Sequence, residues 1–100
     1  MAIARVTVVP LGTSDTSLSK YVAACQQVLE TRNNIEYELT SMGTILEGDL
    51  DDIMETVREL HEVPFKKGAL RVSTSLTIDD RRDKAASRHQ KVQSVKDKLQ

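Results

Sequence analysis

Two stretches concentrate side chains that could bind or react. PLGTSDTSLSKYV, residues 10–22, carries Thr13, Ser14, Asp15, Thr16, Ser17 and Ser19 where a strand gives way to a helix. They supply hydroxyls, a carboxylate and helix N-terminal amides, more than a helix cap alone requires. YELTSMGTILEG, residues 37–48, gathers Thr40, Ser41, Met42, Gly43 and Thr44 at a bend between two short strands. Such a cluster is a turn first. The same hydroxyls, with a glycine that lets backbone come close, also suit the wall of a pocket. A third run, DDRRDK at 79–84, follows a strand directly. Solvated ion pairs are its plain reading. The alternative is an oligomer-fixing network or an anion contact, because the guanidinium forks of Arg81 and Arg82 match phosphate and carboxylate groups.

Signatures of catalysis are not found. Cys25 has no base beside it in sequence and falls on an apolar helical stripe, so it reads as a small core residue. His61 and His89 sit far apart on different predicted helices, and His61 with Glu62 does not make HExxH. The chain has neither GxxxxGK[ST] nor GxGxxG to cradle a phosphate. Asp51–Asp52 and Asp79–Asp80 lie at element ends, where acidic pairs are ordinary caps and turns. The expectation is no catalytic residue, no metal site and no cofactor, with a small molecule as a possible bound ligand.

The whole composition narrows the class further. A chain of 100 residues fits one domain, spanning residues 1–100. At 39% hydrophobic it can build a core, which excludes a disordered tail. Fourteen Lys plus Arg against fifteen Asp plus Glu, net charge -1, give no pull toward nucleic acid or anionic lipid. One phenylalanine and two tyrosines also offer few stacking platforms for single strands. A single cysteine permits no internal disulfide, and MAIARVTVVPLG lacks the layout of a signal peptide or a membrane span. A cytoplasmic location is expected.

Periodicity supplies the elements that must position these residues. AIARVTVV at 2–9 alternates as a strand ending at Pro10 and Gly12. A helix capped by Thr16 or Ser17 runs to about Thr31, with Leu18, Val22, Cys25 and Leu29 in its stripe and Tyr21 and Val28 beside them. IEYEL and TIL form two strands around the bend. A second helix opens on Asp49, Asp51 and Asp52, buries Ile53, Val57 and Leu60, and is expected to stop at Pro64. ALRVSTSLTI at 69–78 is the most regular strand, and a third helix is expected over about 83–99 with a thin stripe of Val92, Val95 and Leu99.

This order is the split βαβ pattern of an α+β, ferredoxin-like βαββαβ sandwich with an additional C-terminal helix. Its helices cover one sheet face. The other would carry Ile3, Arg5, Thr7, Val9, Ser73, Ser75 and Thr77, with one or more of Tyr37, Leu39 and Ile45. Small size, that mixed face and the last helix together lead to the expectation of a homo-oligomer with two-fold symmetry.

The chain resembles the thiamine-binding protein family. The resemblance is carried by PLGTSDTSLSKYVAACQQVL (10–29), YELTSMGTILEG (37–48), HEVPFKKG (61–68), RVSTSLTIDDRRDK (71–84) and KVQSVKDKL (91–99), in order and over nearly the whole chain. It implies the same sandwich, homodimers that pair into tetramers, and binding of thiamine or its hydroxymethylpyrimidine part near subunit contacts without a catalytic step. It also makes Ser17, Ser19, Tyr21, Met42, Gly43 and Thr44 the leading pocket candidates. Tyr21, Met42 and Leu18 could sandwich a flat pyrimidine, Ser17, Ser19, Ser41 and Thr44 could read its nitrogens, and Asp15 or Glu47 could offset a cationic thiazolium. The competing expectation is a homo-oligomeric scaffold or regulatory protein-interaction module with no small ligand.

Overall fold

Alternation along the first strand sets the layers. In β1, Ala2–Pro10, the residues Ala2, Ala4 and Val6 are buried at 0%, 2% and 3% exposure. They meet a core that includes Leu29, Ile35, Leu46, Ile53, Val57 and Leu60. The computed structural model describes residues 1–12, 19–83 and 88–99. After β1 follow α1 (Ser19–Glu30), β2 (Glu36–Thr40), β3 (Gly43–Gly48), α2 (Leu50–Lys66), β4 (Val72–Asp80) and α3 (Arg88–Lys98). The four strands form one sheet in the order β2-β3-β1-β4, every pairing antiparallel. With α1 and α2 supplying the core on one face, this is the expected ferredoxin-like α+β sandwich, extended by α3.

Strand register assigns each side chain to a layer, since neighbouring residues of a strand point to opposite faces. Ile3, Arg5, Thr7 and Val9 stand opposite Asp79, Thr77, Ser75 and Ser73 on the face away from the helices. Ile45 joins them through its pairing with Arg5. Tyr37 and Leu39 do not: they pair with Leu46 and Thr44 and so take the helix side. The bend at residues 41 and 42 is the reason, because it returns β3 with a register that pairs Thr40 with Gly43.

Several boundaries differ from the sequence reading. Pro64 does not stop α2, which continues to Lys66. A proline in the last turn forfeits one backbone donor, and here its ring is buried in return. Pro64 O then accepts from the amides of Lys67 and Ala69, closing the helix end. β4 starts at Val72 rather than 69, leaving Leu70 95% exposed, and it runs on through Asp80, which pairs with Ala2. In α1 the buried stripe centres on Tyr21 and Leu29, with Cys25 and Val28 half-buried and Val22 exposed.

Arg32 ties the turn after α1 to α2. Its Nη2 and Nε donate to Glu59 Oε2 at 2.6 and 3.1 Å from a largely covered position. On the α2–β4 side, His61 Nδ1 lies 2.6 Å from Thr74 Oγ1. In the middle of the core Leu46 is fully buried. Replacing it with alanine, Leu46→Ala, is expected to cost about 2–5 kcal/mol by removing apolar contact and leaving a cavity. Urea unfolding would measure this, and a loss under about 1 kcal/mol would mean the layers can collapse onto the gap.

Candidate functional site

The two ladders on β1 have different lengths, and the difference opens a cavity. Against β4, β1 is paired from Ala2 to Pro10. Against β3 its pairing ends at Val6↔Thr44, because the β2–β3 hairpin turns back at residues 41 and 42. Thr7, Val8 and Val9 therefore extend beyond the β1–β3 pairing and, together with the hairpin and α1, border an open space. The space between them has a volume of about 360 Å³, within the range of small-molecule sites.

Its floor is apolar: Val6, Val8, Leu29 and Leu60. Tyr21, Val22, Cys25 and Gln26 of α1 form one wall, and Leu39, Thr40, Ser41, Gly43 and Thr44 of the hairpin form the other. Gly43 is required at its place. Its φ is +132, and a Cβ there would lie 2.8 Å from Thr7 Oγ1 and 2.9 Å from the Val6 carbonyl oxygen. Thr40 is occupied in holding the turn, donating to Gly43 O at 2.7 Å and accepting from the Met42 amide at 3.2 Å.

Of the residues expected to contact a ligand, Tyr21, Gly43 and Thr44 come together on this cavity. Met42 does not line it; the side chain stands 74% exposed at the hairpin tip. Ser17, with Asp15 and Leu18, lies outside the described residues, and Ser19 opens α1 with its side chain outside the described atoms. Glu47 is buried toward the far end of β3, cross-strand from Ile3, and does not line the cavity. Gln26 and Leu39 were not singled out by the sequence. Gln26 had a legible signal: it falls with Val22, Cys25 and Leu29 at helical spacing, a polar residue set into an apolar stripe.

Cys25 and His61, two side chains that could react, are both constrained by their surroundings. Burial pushes the Cys25 thiol up from its ordinary pKa, so it stays protonated near neutral pH and is a poor nucleophile. His61 is engaged with Thr74 and packs edge-on against Phe65 at 5.5 Å. Among the described residues no group of three or more His, Cys, Asp or Glu side chains could hold a metal ion. In the 79–84 run, Arg82 donates to Asp80 and Arg81 to Asp83, each an exposed local pair, and the Arg82 hydrogen bond lowers the Asp80 pKa. These pairs agree with the plain reading of solvated ions. No described helix is long and apolar enough to cross a membrane.

Fold and cavity together define a small ferredoxin-like domain with a ligand-sized, mainly apolar recess between its helical layer and its sheet. The chain belongs to the thiamine-binding protein family, whose profile it matches over residues 4–96. It is 50% identical to a UPF0045 protein of Methanothermobacter thermautotrophicus, over 99% of this chain and 100% of that protein. It is 47% identical to the UPF0045 protein YqgV of Bacillus subtilis, over 100% of this chain and 99% of that one. The crystal structure of the hypothetical protein MJ1052 of Methanocaldococcus jannaschii has the same fold, with a TM-score of 0.83 at 36% identity and 95% of each chain covered.

Gly43→Ala is expected to cost about 1–3 kcal/mol, because the backbone there suits glycine and the added methyl meets both the Thr7 hydroxyl and the fixed Val6 carbonyl oxygen. A thermal melt of the variant would show the loss. An unchanged melting temperature would mean that the hairpin tip shifts freely, and the cavity wall with it.

Proposed function

We propose that this protein binds thiamine or a related pyrimidine compound, without catalysis, in the cavity between α1 and the β2–β3 hairpin. The observation that carries the reading is the cavity itself: ligand-sized, apolar on its floor, edged by hydroxyls, and present in a chain of the thiamine-binding protein family. A pyrimidine needs flat apolar contact and two or three hydrogen bonds. Tyr21, Leu39 and Leu60 offer the first, and Ser41, Thr44 and Gln26 the second. A half-buried, protonated Cys25 and an engaged His61 favour binding over turnover. The protein would act in the cytoplasm to sense, buffer or deliver its ligand.

The same reading includes self-association as a dimer or tetramer, with the ligand near subunit contacts. Val92 and Val95 of α3 are 53% and 58% exposed, and Leu99 just beyond is 80% exposed. Spaced three and four residues apart, they make one apolar edge on a helix whose remaining surface is polar. A short helix of this composition is marginal in water without packing. A second copy would supply that packing. The alternative, an oligomeric scaffold with no small ligand, draws on the same edge.

Isothermal titration calorimetry with thiamine, hydroxymethylpyrimidine and thiamine phosphate tests the ligand. One saturable site per subunit is expected, and Thr44→Val should weaken it roughly fivefold through loss of one hydrogen bond. No heat from any of the three would leave the scaffold reading in place. For assembly, Val95→Asp should shift sedimentation toward a smaller species; an unchanged coefficient would put α3 outside the subunit contact.

A further inference from the structure

We infer that the outer edge of β4 pairs antiparallel with the β4 edge of a second copy, about a two-fold axis at Ser75, so that two sandwiches share one continuous sheet. The inference rests on the self-association proposed above and gives it a contact distinct from the apolar edge of α3. Among the described strands, β4 has β1 as its only neighbour. Pro10, which has no N–H, stands opposite Val72, and the Leu11 amide donates to Arg71 O at 2.8 Å. In an antiparallel ladder, residues that bond across alternate with residues whose backbone groups point the other way. Arg71, Ser73, Ser75, Thr77 and Asp79 therefore bond toward β1. Val72, Thr74, Leu76 and Ile78 aim their amides and carbonyls at the outer edge.

Such an edge is a template for another strand, and proteins that stay apart guard it with short length, charge, proline or a bulge. The opposite edge of the sheet is guarded in this way. β2 has five residues, and pairing with itself would bring Glu36 against Glu38. β4 is nine residues long, pairs with β1 in unbroken register, and carries neither charge nor proline from Val72 to Ile78. Its charges stand at the two ends and differ in sign, Arg71 just before the strand and Asp79 near its close. An antiparallel copy centred on Ser75 sets Arg71 opposite Asp79 twice, with Ser73 opposite Thr77, on the face away from the helices. On the helix face it sets Thr74 opposite Leu76 and Val72 opposite Ile78, which is 38% exposed. Paired side chains must share a face, so a slipped register moves each partner by two residues. One slip brings Arg71 against Arg81, and the other brings it against Thr77. Of these three registers, the one centred on Ser75 matches opposite charges, and its symmetry closes the assembly as a dimer.

Cross-linking of the full chain tests the contact and its register. In Ser75→Cys the two thiols would meet at a pair without backbone hydrogen bonds, where facing Cα atoms lie about 4.5 Å apart, a separation that a disulfide spans. Oxidised glutathione should convert this variant to a covalent dimer, and mass spectrometry of its tryptic peptides should show residue 75 joined to itself rather than to Cys25. Ser73→Cys should not cross-link to itself, since its counterpart would stand four residues along, roughly 13 Å away. By sedimentation equilibrium, Arg71→Asp should weaken the dimer roughly tenfold by setting like charges opposite, and adding Asp79→Arg should restore it. Thermal melts report whether each variant is folded, and the two cysteine variants change only exposed serines. A wild type that self-associates while Ser75→Cys gives no 75–75 link, or a link of equal yield from Ser73→Cys, would overturn the inference and leave self-association standing. A wild type that sediments as a monomer at every concentration would overturn both.

Discussion

The unequal pairing of β1 is the constraint on which the rest depends. A central strand must satisfy its backbone on both sides, and here one ladder runs the full strand while the other stops at Val6. Where both ladders are present, Ala2 and Ala4 keep the sheet surface low and the layers close over Leu46, Ile53 and Leu60. Past Val6 the hairpin has turned away, and the helical layer loses the strand it would have packed on. The cavity is thus a direct result of hairpin length, set by where Gly43 permits the turn.

Polar groups around that opening are shared between construction and recognition. Thr40 holds the turn and Arg32 holds the loop behind α1 to α2, so both are committed before any ligand arrives. Gln26 is joined to Tyr37 through its Nε2, and its carbonyl oxygen has no hydrogen-bond partner among the described residues. Native interiors rarely leave an acceptor in that condition. Cys25 beside it contributes bulk, its thiol kept neutral by burial.

Much of this was legible in the sequence. The alternation of residues 2–9 and the Ile53, Val57, Leu60 spacing gave β1 and α2 with their buried faces, and the order of elements gave the sandwich. What periodicity could not supply was register. Whether Tyr37 and Leu39 face the helices or the open side depends on the number of residues in the bend, which alternation within each strand leaves undetermined. The same gap hid the site: Gly43 and Thr44 stood out as turn residues, yet their meeting with α1 depends on how far β1 outruns the hairpin. Met42 stood out for a flexible apolar side chain, but a tip position turns it to solvent. Pro64 reads as a stop when the helix is taken alone, but it falls in the last turn, where its buried ring offsets one lost hydrogen bond.

The placement of the cavity also divides the chain's tolerance to change. Val6, Leu29 and Leu60 belong to both the core and the cavity floor, so substitutions there disturb folding and the shape of the cavity together. Val22, Leu39 and Ser41 line the cavity from exposed positions, and Gln26 and Thr44 from half-buried ones. Changes at these positions alter the rim of the cavity without touching the buried core cluster. A sandwich with its opening at the end of a hairpin can therefore change the shape and polarity of that opening through a handful of rim substitutions while its architecture stays the same.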